Sequence, residues 1–158
     1  QYDLHQNNSA DQGYRRFLGR LAEPLLMLLN GARRGLDFGC GPGPCLSVML
    51  EEAGHSVSLY DLYYANDPRV LESHYDFITA TEVVEHLANP RRELERLWAL
   101  LRPGGYLVVG MSDTICPQVA DWLQLVRCGG REWWEGEVEG RSEREWWKGG
   151  CESCCCSC

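Results

Sequence analysis

Apolar residues recur at three- and four-residue spacing from Tyr14 to Asn30, where Phe17, Leu18, Leu21, Leu25, Leu28 and Leu29 fall on one side of a helix. Pro24 lies inside that run and predicts a kink or a split, while Asn30-Gly31 predicts the stop. The polar stretch before it, Gln1 to Gly13, reads as loop. The period then shortens. Leu36-Asp37-Phe38 reads as the end of a buried strand, and Ser56 to Asp61 as a strand in which Val57 and Leu59 alternate with serines. Between them, Cys45 to Ala53 carries Leu46, Met49 and Leu50 on one helical face and stops at Gly54. Tyr75 to Thr81 is a further buried strand. Asn89-Pro90 caps a helix from Arg91 to Leu101 with Leu94, Leu97, Trp98 and Leu101 inward. Arg102-Pro103-Gly104-Gly105 breaks it, and Tyr106 to Gly110 is the next strand. Val119 to Val126 predicts one more helix, with Trp122, Leu123 and Val126 inward.

Strands alternating with short helices give an α/β fold, doubly wound around a mostly parallel sheet. From about residue 128 no period of 2 or 3.6 orders the residues. The chain therefore divides into a domain over residues 1–127 and a low-complexity tail over 128–158 that is expected to be disordered, and that reads first as a run-on or altered reading frame and next as a natural tail.

The chemistry concentrates where the first strand meets its helix. Gly39, Gly41 and Gly43 follow Asp37 at alternate positions, where a missing Cβ lets the backbone turn tightly and approach a ligand. A dinucleotide fingerprint needs G-x-G-x-x-G, but Pro44 stands at the third glycine position, so that register fails. The acidic-x-G-x-G-x-G pattern led by Asp37 resembles motif I of the class I S-adenosylmethionine-dependent methyltransferases. Y-D-F-I-T followed by E-V-V-E-H-L, from Tyr75 to Leu87, resembles their motif IV, and L-L-R-P-G-G-Y-L-V-V resembles their fifth strand and the turn before it. The resemblance runs from about Tyr14 to Met111, in order, and is nearest to bacterial methyltransferase-domain proteins of unspecified substrate.

That resemblance implies a Rossmann-like sheet and S-adenosylmethionine as cofactor. It also implies a reduction, because Leu62 to His74 is too short for the family's third strand and its connections, and the C-terminal hairpin is missing or degenerate. The cofactor contacts it implies are Asp37, Gly39, Cys40, Gly41, Gly43, Ala80, Thr81 and Tyr14, the last near the carboxylate end. Asp61, at the C-terminal end of the second strand, is placed to accept hydrogen bonds from both ribose hydroxyls. Leu62, with Tyr63 or Tyr64, would hold the adenine by apolar contact. If Glu82 opens a helix, Glu85 and His86 share its face. Three readings stay open for this group: a cap that orients the loop, a general base at His86, or a divalent metal site of Glu82, Glu85 and His86.

Charge and cysteines narrow the partners. The formal charge is −8, which disfavours nucleic acid as the main partner because phosphate binding needs a basic surface. Four basic and seven acidic residues lie from Arg131 onward, leaving 11 and 16 before them, a balance suited to a small-molecule acceptor. Five of the nine cysteines crowd residues 151–158, which is no disulfide framework, and a zinc site there lacks a second pair of ligands. No run approaches the ~18 apolar residues of a membrane span, and the expected setting is the cytoplasm. Two functions remain: a methyltransferase acting on an unidentified small molecule, or a remnant of the fold without activity.

Overall fold

In the computed structural model, which describes residues 12–111, 122–127 and 133–134, the first apolar stripe becomes α1 (Gln12–Leu28). Its Leu18, Leu21, Ala22 and Leu25 are buried at i, i+3, i+4 and i+7. Pro24 does not split the helix. A proline inside a helix costs about 3 kcal/mol, while burying leucines contributes about 1.5–3 kcal/mol each, so the Leu21 and Leu25 anchors on either side outweigh it.

The chain continues through β1 (Arg34–Phe38), α2 (Cys45–Glu52) and β2 (Ser56–Tyr60) to a 3-10 turn at Pro68–Glu72. Next come β3 (Tyr75–Thr81), a second 3-10 turn at Val84–His86, and α3 (Pro90–Ala99). The rest is strand: β4 (Leu101–Met111), β5 (Trp122–Arg127) and β6 (Trp133–Trp134). Together they form one six-stranded sheet in the order β2-β1-β3-β4-β5-β6. β2, β1, β3 and β4 are parallel, and β5 and β6 run antiparallel. The chain lays β2 on one side of β1 and β3 on the other. The C-terminal ends of these three strands therefore share one rim at the point where the winding reverses.

Both faces of the sheet are covered, which is why β1 and β3 read as near-continuous apolar runs. Leu18, Leu25, Leu46 and Leu50 from α1 and α2 pack with Phe77 and Val108 on one face. Leu97 of α3 packs with Leu36, Ile78, Leu107 and Val109 on the other. Gly35 stands opposite Phe77 in the β1–β3 register. A Cβ on Gly35 would lie 2.0 Å from the Phe77 ring, so the absent side chain is what admits the ring. Gly35→Ala is expected to cost about 1–3 kcal/mol in chemical denaturation, the usual range for overpacking.

The third strand is absent, as expected. Leu62 to His74 holds only the 3-10 turn with Leu71 buried, and β2 is an edge of the sheet. Asn89 caps α3 by accepting from the Arg92 amide at 3.1 Å. The helix ends at Ala99, two residues short of the expected Leu101, which already opens β4, so Arg102–Gly105 lies inside the strand instead of breaking the helix. Between Tyr75↔Leu101 and Phe77↔Tyr106, β3 advances two residues while β4 advances five, so the segment is a bulge.

Two further expectations are corrected. Val119–Val126 is not a helix: residues 119–121 lie outside the described residues, and Trp122–Arg127 is β5, paired with β4 from Met111↔Trp122 to Tyr106↔Arg127. An eight-residue helix is marginal on its own, whereas tryptophan, leucine and valine suit a strand and the open edge of β4 supplies a complete ladder of partners. Beyond residue 127, Trp133 and Trp134 pair with Val126 and Leu125. The C-terminal hairpin is thus present in reduced form. The other tail residues, Cys151 to Cys158 among them, lie outside the described residues.

The second correction concerns Glu82. It opens no helix; only Val84–His86 turns, as a single 3-10 turn. Glu82 has φ +53, a left-handed conformation that costs a non-glycine residue about 1–2 kcal/mol and turns the chain out of β3. Its amide donates to the Gly110 carbonyl at 2.8 Å, which fixes that turn against β4.

Candidate functional site

The rim formed by β1, β2 and β3 gathers most of the residues singled out in the sequence. Gly39 and Gly41 both take positive φ, +75 and +65. Gly39 tucks beneath the turn after β3, where a Cβ would come within 2.4 Å of Val83. Gly41 faces open space, with nothing within 4 Å of where its Cβ would stand. The loop is pinned on one side and open on the other. Gly43 accepts from the Cys45 amide at 2.7 Å and leads into α2, whose N-terminus has no side-chain cap.

Asp61 ties the glycine loop to β2. One carboxylate oxygen accepts from the Gly41 amide at 3.0 Å. The other accepts from the amides of Tyr63 and Tyr64, at 2.8 and 3.2 Å. A backbone bridge to Ala65 closes the turn at 3.1 Å in both directions, and the Gly39 amide donates to the Tyr60 carbonyl at 2.7 Å. The turn held this way displays Leu62, Tyr63 and Tyr64, which are 59%, 84% and 50% exposed. Large apolar groups seldom stand out in a row on a small protein without a ligand or partner to cover them.

Asp37 is the deepest polar group of the site, only 2% exposed. Thr79, its partner in the β1–β3 register, donates to one carboxyl oxygen at 2.8 Å. Among the described residues the second oxygen has no hydrogen-bond donor, which is rare for a buried polar atom. Burial raises the Asp37 carboxyl, the Thr79 bond lowers it and the charge of Asp61 raises it, for a net value of about 6. Burial, then Asp37 and Asp61, push the Cys40 thiol up to about 12.

Tyr14 comes to this site from α1. Its hydroxyl is pushed above its ordinary range first by burial and then by Glu82, Cys45 and Asp37. Thr81 is half-buried at the end of β3. Ala80 points the other way, into the α3-side core with Leu36 and Phe38. His86 is exposed at the end of its 3-10 turn. The Glu85 side chain lies outside the described residues, and among those described no three His, Cys, Asp or Glu side chains converge as a metal set.

Three features had no mark in the sequence reading. Thr79 was legible in principle, since two parallel strands with period 2 put it on the Asp37 face once their register is known. Val83 as the wall behind Gly39 and the left-handed Glu82 carry no local signal.

Known proteins match this chain in sequence and in shape. A family model described as methyltransferase domain matches residues 5–146. The ubiquinone biosynthesis O-methyltransferase of Yersinia pestis is 29% identical over 109 residues, which is 68% of this chain and 43% of that protein. The chain thus spans less than half the length of the curated relatives it matches. Among solved structures, a protein of Pyrococcus horikoshii superposes with a TM-score of 0.50 at 18% identity, covering 74% of this chain and 68% of that one. Coclaurine N-methyltransferase bound to N-methylheliamine and S-adenosylhomocysteine superposes with a TM-score of 0.50 at 17% identity, covering 70% of this chain and 39% of that one. At such identities the two structures share the fold alone.

Proposed function

The chain belongs to the methyltransferase-domain family, and from that premise we propose that it binds S-adenosylmethionine at the β1–β2–β3 rim and transfers its methyl group to a small-molecule acceptor. The observation that carries this reading is the hydrogen bond from the Gly41 amide to Asp61, beside a buried Asp37 with one oxygen unpaired. It brings an open glycine cradle, a carboxylate at the next strand end and an orphaned buried acid together at one switch point.

In this reading Gly39, Cys40, Gly41 and Gly43 form the floor that lets the ligand approach the backbone. Asp37 receives the amino end and Tyr14 closes over it from α1, next to the uncapped N-terminus of α2. Asp61 serves twice, holding the Gly41, Tyr63 and Tyr64 amides with three of its about four acceptor positions and offering the remaining one to a ribose hydroxyl. Leu62 and the adjoining tyrosines cover the base, and Thr81 bounds the site at the end of β3, with Ala80 contributing only backbone. S-adenosylmethionine, when bound, supplies a methyl on a sulfonium that leaves as a neutral thioether without an acid. What remains for the protein is positioning and exclusion of water.

Where the acceptor must lose a proton, His86 on the adjoining turn is the base. With a catechol as probe acceptor, His86→Gln is expected to lower kcat by about 10²–10⁴-fold, the usual contribution of such a group, and a variant within threefold of the parent would remove His86 from that role. The acidic balance favours a small molecule over nucleic acid, and a cytoplasmic setting belongs to the same proposal; among the described residues no helix is long and apolar enough to cross a membrane.

The test is a thermal shift with S-adenosylhomocysteine. A ligand at 100 times its dissociation constant stabilises by about 2.7 kcal/mol. Gly41→Arg fills the cradle and is expected to melt cooperatively with no ligand response. If the parent chain shows no stabilisation at millimolar ligand, the chain is a remnant of the fold and the proposal fails.

A further inference from the structure

Asp37 is buried at the end of β1, 2% exposed. The charge of Asp61, at the end of β2, acts on it with like sign. From β3 it meets the neutral Thr79 hydroxyl. Glu82, Cys45 and Asp37 act on Tyr14. The charge that acts on Asp37 is of like sign, and among the described residues no arginine or histidine acts on it. A buried acid in such surroundings lacks a counterion. It keeps either a proton or a cation.

We propose that in mildly acidic solution a proton fills this role while the site is empty and that the ligand's cationic amino end displaces it, so that Asp37 makes cofactor loading proton-linked there. This rests on the cofactor reading above and adds to it. On binding, the O–H bond of the Asp37 carboxyl breaks, the proton leaves to solvent, and the carboxylate pairs with the ligand ammonium through the oxygen that Thr79 leaves free. No other bond changes.

The coupling has a defined window. Asp37 in the empty site titrates near 6. Above that pH the carboxylate is already ionised and binding needs no proton release. Below it, each binding event must expel a proton, and affinity falls towards tenfold per pH unit.

The test uses the full chain in isothermal titration calorimetry between pH 5 and 7, where the ligand ammonium stays charged. S-adenosylhomocysteine is expected to bind about tenfold more weakly at pH 5 than at pH 7, with close to one proton released at pH 5 when buffers of different ionisation enthalpy are compared. 5′-Methylthioadenosine, which lacks the amino-acid end, is expected to show no such dependence. Asp37→Asn is expected to bind S-adenosylhomocysteine more weakly at pH 7, with an affinity flat to within twofold across the range. A wild-type affinity that does not change with pH overturns the linkage while leaving the cofactor reading intact. A tenfold dependence that persists in Asp37→Asn, or that 5′-methylthioadenosine shares, assigns the proton to another group and overturns it equally. Absence of binding by either ligand at pH 7 removes the cofactor reading itself.

Discussion

Asp61→Ala is expected to abolish the thermal response to S-adenosylhomocysteine and to cost about 2–4 kcal/mol of stability in the unliganded chain. The carboxylate accepts from three backbone amides, Gly41, Tyr63 and Tyr64. Hydrogen bonds to a charged group are worth about 1.5–3 kcal/mol each when buried, and partial exposure here discounts their sum. The loss falls on function more than on the fold. Without Asp61 the Gly41 amide has no acceptor, the glycine loop loses its tie to β2, and the tyrosine turn loses its cap. Asp61→Asn separates the two roles. Its amide oxygen can still accept from one of the two sides, so about half the stability should return, while ribose binding, which uses the remaining acceptor capacity, should stay impaired by tenfold or more. Chemical denaturation together with the ligand-induced shift reads both. Full ligand response in Asp61→Ala would place the cofactor elsewhere.

The second large effect has the opposite sign. Asp37→Asn is expected to stabilise the unliganded chain at pH 8 by roughly 1–3 kcal/mol. The reasoning is linkage. The folded protein holds the Asp37 proton with a value near 6 against 3.8 for the unperturbed group, so between those values the native state binds more protons than the unfolded one. Stability therefore falls as pH rises through that window, and the cost is complete above pH 6. A difference of about two pKa units corresponds to about 3 kcal/mol. Asparagine removes the charge and keeps an oxygen for Thr79, so it recovers most of this at pH 8 and almost nothing at pH 4, where the parent side chain is already neutral. Urea denaturation at the two pH values measures the difference directly. A variant equally destabilised at both would mean that Asp37 is held by cations not evident in its surroundings. Residues kept in an unfavourable state at a ligand site, with a stability gain on removal, are the usual mark of a stability–activity trade-off.

The fold was largely written in the periodicities. Leu18, Leu21, Leu25 and the alternation at Val57 and Leu59 state helix and strand locally, and the shortness of Leu62–His74 states that no third strand can form. The misread stretches have a common cause. Around Trp122–Arg127 and after Glu82 the local pattern allows more than one conformation, and a neighbour decides: the open edge of β4 draws one segment into a strand, and the Gly110 carbonyl holds Glu82 in a left-handed turn.

For the site, the sequence by itself determined which residue types arrive at the strand ends: Asp37, the three glycines, Asp61 and the Glu82–His86 group. Only the tertiary structure decided what each of them meets. Asp61 faces Gly41, Thr79 shares a face with Asp37, and Ala80 turns away into the core. The physical reason is range. Helix and strand preferences act over a few residues, whereas the charge state of Asp37 and the tie across the glycine loop depend on burial and on partners 20 to 42 positions away.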